Sequence, residues 1–142
     1  TGLRATNVFA YMTGPGAQVE FYDAIVARLD NGAIATISGA GTQPSNKTKH
    51  ELDLRIYGTE GELSFDLFYE HFTVHREDGR NLILNVKAGD GEYTCDGPIH
   101  NFIDLIRGKS SNNFSPAEIG ARSIELIEAA YRSAALGKEI EV

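Results

Sequence analysis

A chain of 142 residues, 42% hydrophobic and 23% charged, is one domain's worth of sequence and can bury roughly two-thirds of its unfolded surface in a core. No segment approaches the ~18 uninterrupted apolar residues that a membrane helix needs. Thirteen Lys and Arg against twenty Asp and Glu leave a net charge of −7, a field that repels phosphate backbones and anionic lipid, so neither nucleic acid nor a membrane is expected as a partner.

From Arg4 to about Lys87 the apolar residues recur with period two, broken by Gly, Pro, Asn and Asp, which reads as a sheet. Arg4 to Met12 is a first strand, closed by the turn Thr13-Gly14-Pro15-Gly16. Gln18 to Leu29 and Ala33 to Ala40 flank Asp30-Asn31-Gly32, whose Asn-Gly pair tolerates the left-handed backbone of a tight hairpin. Gly41 to Thr48 is polar and unpatterned. His50 to Tyr57 then alternates, with Leu52, Leu54 and Ile56 on one face and Glu51, Asp53 and Arg55 on the other. The turn Gly58-Thr59-Glu60-Gly61 returns the chain into Glu62 to Leu67, and a last hairpin closes at Asp78-Gly79 between His71 to Arg76 and Asn81 to Lys87. Sequential neighbours of this kind pair antiparallel.

After Asp90 the period lengthens. Pro98 stands at a helix start, and Ile99, Phe102, Ile103 and Ile106 form one apolar stripe before Gly108 stops it. Ser115-Pro116-Ala117-Glu118 has the form of a capping box, with Ser115 as the cap and Glu118 reaching back to it. A long helix to about Leu136 follows, with Ile119, Ser123, Leu126, Ile127, Ala130 and Ala134 as its buried stripe and Gly137 as its C-terminal glycine. Lys138 to Val142 reads as a short final strand. The expected fold is α+β: an open, mainly antiparallel sheet of about seven strands with two C-terminal helices on one face.

Candidate chemistry is sparse. A dinucleotide loop needs a third glycine three positions after Gly-x-Gly, yet Val19 follows Gly14 and Gly16, Pro44 follows Gly39 and Gly41, and Thr94 follows Gly89 and Gly91. His71 and His75 fall on a strand, where four residues span ~13 Å, too far to share a zinc ion whose nitrogens lie at ~2 Å. Asp96 and His100 have the spacing of an acid/base pair, but Pro98 places Asp96 ahead of the helix, so they need not share a face. His100 remains as a substrate-proximal candidate. The single Cys95 excludes an internal disulfide and, with no signal segment after Thr1, fits a cytoplasmic location.

Three segments in order resemble one family. Ile56-Tyr57-Gly58-Thr59-Glu60-Gly61 is similar to a strand and turn of the substrate domain of the glucose-fructose oxidoreductase, inositol dehydrogenase and rhizopine-catabolism (Gfo/Idh/MocA) family. His100 to Gly108 is similar to that domain's short helix, and Glu128 to Val142 to its closing helix and tail. The resemblance implies that residues 1–142 are a single domain, the C-terminal substrate and oligomerisation half of a dehydrogenase acting on a sugar, cyclitol or related polyol with NAD or NADP. It implies that the Rossmann half and the usual catalytic Lys of a Glu-Lys-Pro segment, absent here, lie upstream. Asp96 to His100 matches the spacing of the family's Asp-x-x-x-His pair but falls at the wrong end of the domain, so it takes no catalytic role. On this reading the isolated chain holds no cofactor and is inactive. A free-standing ligand-binding or assembly module remains the alternative.

Seven strands at ~4.8 Å make a sheet ~34 Å wide, whereas two helices of ~10 Å cover ~20 Å of one side. One face therefore stays open. The Gln18 to Leu29 strand is apolar on both sides, with Val19, Phe21, Ile25 and Leu29 on one and Tyr22, Ala24 and Val26 on the other. Tyr22, Ala24 and Val26 are accordingly expected to join a second copy in a homo-oligomer, as the resemblance also implies.

Overall fold

The structure is a computed structural model that describes residues 2–42, 52–66, 71–85, 87 and 96–142. In chain order its elements are β1 (Ala5–Thr13), β2 (Tyr22–Leu29), β3 (Ile34–Ala40), β4 (Asp53–Gly58), β5 (Gly61–Asp66), β6 (His71–Arg76), β7 (Leu82–Asn85), α1 (Asp96–Ile106), α2 (Ala117–Leu136) and β8 (Ile140–Glu141). This is the expected α+β class with antiparallel pairing throughout, but the strands form two sheets of four, in the orders β3-β2-β1-β8 and β4-β5-β6-β7. The single seven-stranded sheet is thus corrected. Hairpins carry pairing from β1 to β3 and from β4 to β7, and the alternation that a ladder needs lapses in the polar sequence between them. The chain divides into two compact units, Thr1–Gln43 with Asp104–Val142, and Pro44–Ile103.

In the first unit β2 begins at Tyr22, later than its apolar run suggests, so Val19 belongs to the β1–β2 connection. The hairpin to β3 turns at Gly32, whose φ of +85° is left-handed, and the Ala33 N–H donates to Asn31 Oδ1 at 3.0 Å. One face of the sheet packs on α2: Val8 and Ala10 of β1, Ile25 of β2 and Ile140 of β8 form a buried cluster with Ala129 and Ala130. Small residues, Ala129 and Ala130 on α2 and Ala10 on β1, line the middle of this contact. They let the α2 backbone approach β1, and the buried stripe therefore runs through Ala129, Ala130 and Ser133. Ile119 and Ile127, expected inside, are 58% and 45% exposed.

The expected capping box does not form. Pro116 takes the N-cap position with ψ 142°, without a side-chain cap, and Glu118 instead binds Arg4 and Arg122. With φ −66° and ψ 142° Pro116 itself holds the extended conformation of a cap, so the helix starts one residue later than it would with Ser115 as the cap. Gly137 ends the helix as expected, at φ +64°, its N–H donating to Ser133 O at 2.8 Å.

The second unit's sheet alternates strictly. Leu54 and Ile56, Leu63 and Phe65, Phe72 and Val74, and Leu82 and Leu84 share one face through the cross-strand register. Phe65 and Phe72 meet edge to face at 6.0 Å. The opposite face carries Arg55, Tyr57, Glu62, His71, Thr73 and His75. Gly58 and Gly61 bracket the β4–β5 turn, and Gly61 sits at φ +149° with its α-carbon against the β6 backbone. The ends of the expected strands at His50 and Leu67 lie outside the described residues.

Helix α1 begins at Asp96, so Pro98 is its third residue and not its first. That position is tolerated because the N–H groups of a first turn have no acceptor within the helix. Gly108 follows it at φ +67°. Among the described residues none of α1 is buried, whereas α2 packs Ala129 and Ala130 against the first sheet.

Candidate functional site

The face of the first sheet opposite α2 is built by strict alternation. In register, Phe9 pairs with Val26 and Val26 with Thr36; Tyr11 pairs with Ala24 and Ala24 with Ser38; Thr13 pairs with Tyr22. The structure therefore brings Tyr22, Ala24 and Val26 together on the open side, all exposed. Phe9 and Tyr11 extend the patch, their rings edge to face at 5.0 Å, with Tyr11 71% and Ile34 69% exposed. The Tyr22 hydroxyl shares a 2.8 Å hydrogen bond with Thr42 Oγ1, which fixes the ring at the patch margin. Sequence reasoning found the β2 half of this surface and missed the β1 half. Phe9 and Tyr11, alternating with the buried Val8 and Ala10, were the available signal.

His100 is exposed on α1. Because that helix starts at Asp96, the two residues are four apart within it and share a face, contrary to the expectation that Asp96 precedes the helix. Cys95 and the Gly89 and Gly91 pair lie outside the described residues.

On the second sheet, His71, Thr73 and His75 occupy alternate positions of β6, as expected for a strand, and Thr73 Oγ1 lies 3.4 Å from His71 Nε2. Among the described residues no three His, Cys, Asp or Glu side chains gather as a metal set. Arg55 Nε pairs with Asp53 at 3.2 Å, and a hydrogen bond with Tyr57, followed by the Asp53 charge, holds the guanidinium above its usual range. At the β6–β7 hairpin Asp78 receives both Arg76 and Arg80, and these bonds, Arg76 first, hold its carboxyl well below the usual carboxylate range. Asp78 also accepts the Arg80 backbone N–H at 3.0 Å, so this ionic cluster shapes a turn.

Among the described residues no Gly-x-Gly turn has the setting that a nicotinamide dinucleotide needs. Its pyrophosphate needs a glycine turn between a strand and the start of a helix, whereas Gly14 and Gly16 join β1 to β2 and Gly39 and Gly41 stand at the end of β3. An added Cβ at Gly39 would meet the Asp23 carboxylate, a group that repels phosphate.

Comparison with known proteins adds the following. The family model for "Oxidoreductase family, C-terminal alpha/beta domain" matches residues 7–142. No curated protein matches the sequence. Among solved structures, an oxidoreductase structure from Thermotoga maritima superposes with a TM-score of 0.77 at 22% identity, over 100% of this chain and 42% of that one. An oxidoreductase from Agrobacterium radiobacter in complex with NAD+, L-tartaric acid and magnesium gives 0.74 at 18% identity, over 97% and 43%. The WlbA dehydrogenase from Bordetella pertussis in complex with NADH and UDP-GlcNAcA gives 0.67 at 18%, over 98% and 40%. The chain spans less than half the length of these three structures, and at such identities the likeness is one of fold.

Proposed function

Because the chain belongs to the Gfo/Idh/MocA oxidoreductase family, as a copy of its C-terminal alpha/beta domain, we propose that it is the substrate-binding and oligomerisation half of an NAD(P)-dependent enzyme that oxidises or reduces a sugar, a cyclitol or a related polyol. The family match over residues 7–142 carries the reading. The NADH and UDP-GlcNAcA held by one neighbour, and the NAD+ and L-tartaric acid held by another, support its cofactor and ligand classes. A Rossmann half ahead of this domain binds the nicotinamide, hydride passes between it and a substrate carbon, and an upstream Lys or His handles the hydroxyl proton. This chain supplies part of the substrate's surroundings, with His100 close to it. Its apolar open sheet face, centred on Tyr22, Ala24 and Val26, joins a second copy.

Two measurements test this. Sedimentation of the chain at micromolar concentration should show an oligomer that Tyr22→Glu or Val26→Glu dissociates; a monomer unaffected by either change refutes the assignment of the face. In the two-domain enzyme, screened for polyol oxidation with NAD+ and NADP+, His100→Ala should raise KM about tenfold and leave kcat within about threefold. An unchanged KM removes His100 from the substrate's surroundings.

A further inference from the structure

The hairpin between β2 and β3 turns on Asp30-Asn31-Gly32, all exposed, and in the sequence no other asparagine is followed by glycine. That pair carries a chemistry of its own. A backbone nitrogen can attack the side-chain amide carbon of the asparagine before it and close a five-membered succinimide ring, an approach that the side chain of the attacking residue normally obstructs. Glycine has no such side chain. At Gly32 even the space that a Cβ would fill is open, with no atom within 4 Å.

The structure holds the two reacting groups in one small ring. Asn31 Oδ1 accepts the Ala33 N–H at 3.0 Å, and the loop that this bond closes contains both Asn31 Cγ and the Gly32 nitrogen. The same N–H is a donor on the oxygen that takes up negative charge when Cγ is attacked, and a donor so placed stabilises the tetrahedral intermediate. One contact opposes the reaction. The Gly32 N–H donates to Leu29 O at 2.8 Å, and this bond must open before the nitrogen can lose its proton. At a hairpin tip exposed to water, such opening lies at the low end of local unfolding free energies. Asp78-Gly79 at the β6–β7 hairpin is the contrast. Ring closure from an aspartate needs the neutral acid, and the bonds from Arg76 and Arg80 keep Asp78 as the carboxylate.

We propose that Asn31 is a site of spontaneous deamidation whose main product is an isoaspartyl link to Gly32. The Gly32 nitrogen gives its proton to hydroxide and bonds to Asn31 Cγ, the Cγ–Nδ2 bond breaks, and Nδ2 leaves as ammonia with a proton from water. Water then opens the ring. Cleavage between the Gly32 nitrogen and the Asn31 backbone carbonyl carbon leaves the chain running through Cγ, the isoaspartyl form, whereas cleavage at Cγ gives an ordinary aspartate. The net reaction consumes water and releases ammonia. The isoaspartyl form has a methylene more in its main chain and a new carboxylate, so the Leu29 N–H to Ala33 O bond and the Gly32 N–H to Leu29 O bond, both 2.8 Å, no longer match the length of the turn they close. The ladder begins next to them at Arg28 and Ile34, and the hairpin that presents Val26 and Ile34 on the open sheet face loosens at its tip.

The test is incubation of the 142-residue chain in mildly alkaline buffer, with peptide mapping by mass spectrometry at intervals and isoaspartate counted by enzymatic methyl transfer. The expected result is conversion of Asn31 at least about tenfold faster than that of Asn112 or Asn113, exposed asparagines whose following residues carry side chains, with isoaspartate exceeding aspartate. A smaller ratio overturns the proposal, and so does aspartate as the sole product, which direct hydrolysis of the amide would give. Isomerisation of Asp78 as fast as conversion of Asn31 overturns the protection assigned to its two arginines. The isoaspartyl form, separated by ion exchange, is then compared with Asn31→Asp, which has the same charge on an unaltered backbone. The isoaspartyl form should unfold at the lower urea concentration, and equal midpoints overturn the loosening of the hairpin.

Discussion

Ser133→Ala removes one oxygen and should cost more than any other single-atom change in the first unit. The side chain is fully buried in the middle of the α2–sheet contact. Its Oγ accepts the Ala10 N–H at 3.0 Å and donates to the Lys138 carbonyl at 2.7 Å. Both bonds stand in for missing secondary structure. The β8 ladder covers only Asn7 and Val8 of β1, so Ala10 lies beyond its end, and Lys138 follows the C-cap glycine. Alanine leaves a buried N–H unsatisfied, at about 1–3 kcal/mol, and weakens a half-buried carbonyl that water can partly serve. A total of about 3 kcal/mol follows, which at about 3 °C per kcal/mol lowers Tm by about 9 °C. Ser123→Ala is the matched control. That hydroxyl bonds to Ile119 O one turn back on an exposed face, so its loss should stay within about 0.5 kcal/mol. Urea unfolding followed by circular dichroism compares the two variants. If Ser133→Ala falls within about 0.5 kcal/mol of the control, Ser133 is not bridging β1 to the C-terminal turn.

Gly61→Ala should cost about 2–4 kcal/mol, because an added Cβ would run into the His75 carbonyl oxygen at a φ of +149°, whereas Gly79→Ala, left-handed but in open space, should cost only about 1. Equal urea midpoints for these two would contradict the close approach of β5 to β6. Ser115→Ala should leave stability within about 0.5 kcal/mol, since no capping bond exists to lose, and a loss of about 1 kcal/mol or more in a thermal melt would restore the capping box. Asp78 has its carboxyl pKa depressed by Arg76 and Arg80, so its stabilising contribution is complete above the ordinary carboxylate range and is lost only as pH falls through the lower folded value. Titration of the Asp carboxyl carbons by NMR should place Asp78 below the rest, and Asp78→Asn should lower Tm near neutral pH but progressively less in strong acid.

Where local chemistry decided the outcome, the sequence was a sufficient guide. Asn31-Gly32, Gly58 to Gly61 and Asp78-Gly79 turn where expected, because positive φ is a property that glycine carries with it. On β2, apolar on both sides, Ile25 packs under α2 while Tyr22, Ala24 and Val26 stand exposed on the opposite face. The capping box failed for a reason that is also local but competitive. Ser115 and Glu118 had the right spacing, yet Pro116 between them fits the cap itself, and two arginines bind Glu118. Spacing names the residues able to bond and leaves open which partner wins.

The α2 stripe shows what periodicity omits. Apolar spacing named Ile119, Ser123, Leu126, Ile127, Ala130 and Ala134; Ala130 is buried and Leu126 and Ala134 pack beside the core, but Ile119 and Ile127 stay exposed while Ala129 and Ser133, which the spacing did not name, are buried. Burial near a sheet depends on how closely two backbones can approach, and there a serine that accepts one bond and donates another outranks an isoleucine. The same choice leaves the large side chains of the helix facing outward. Ile119, which lines a groove beside the start of β1, is 58% exposed, whereas Ala129 and Ala130 further along α2 are buried.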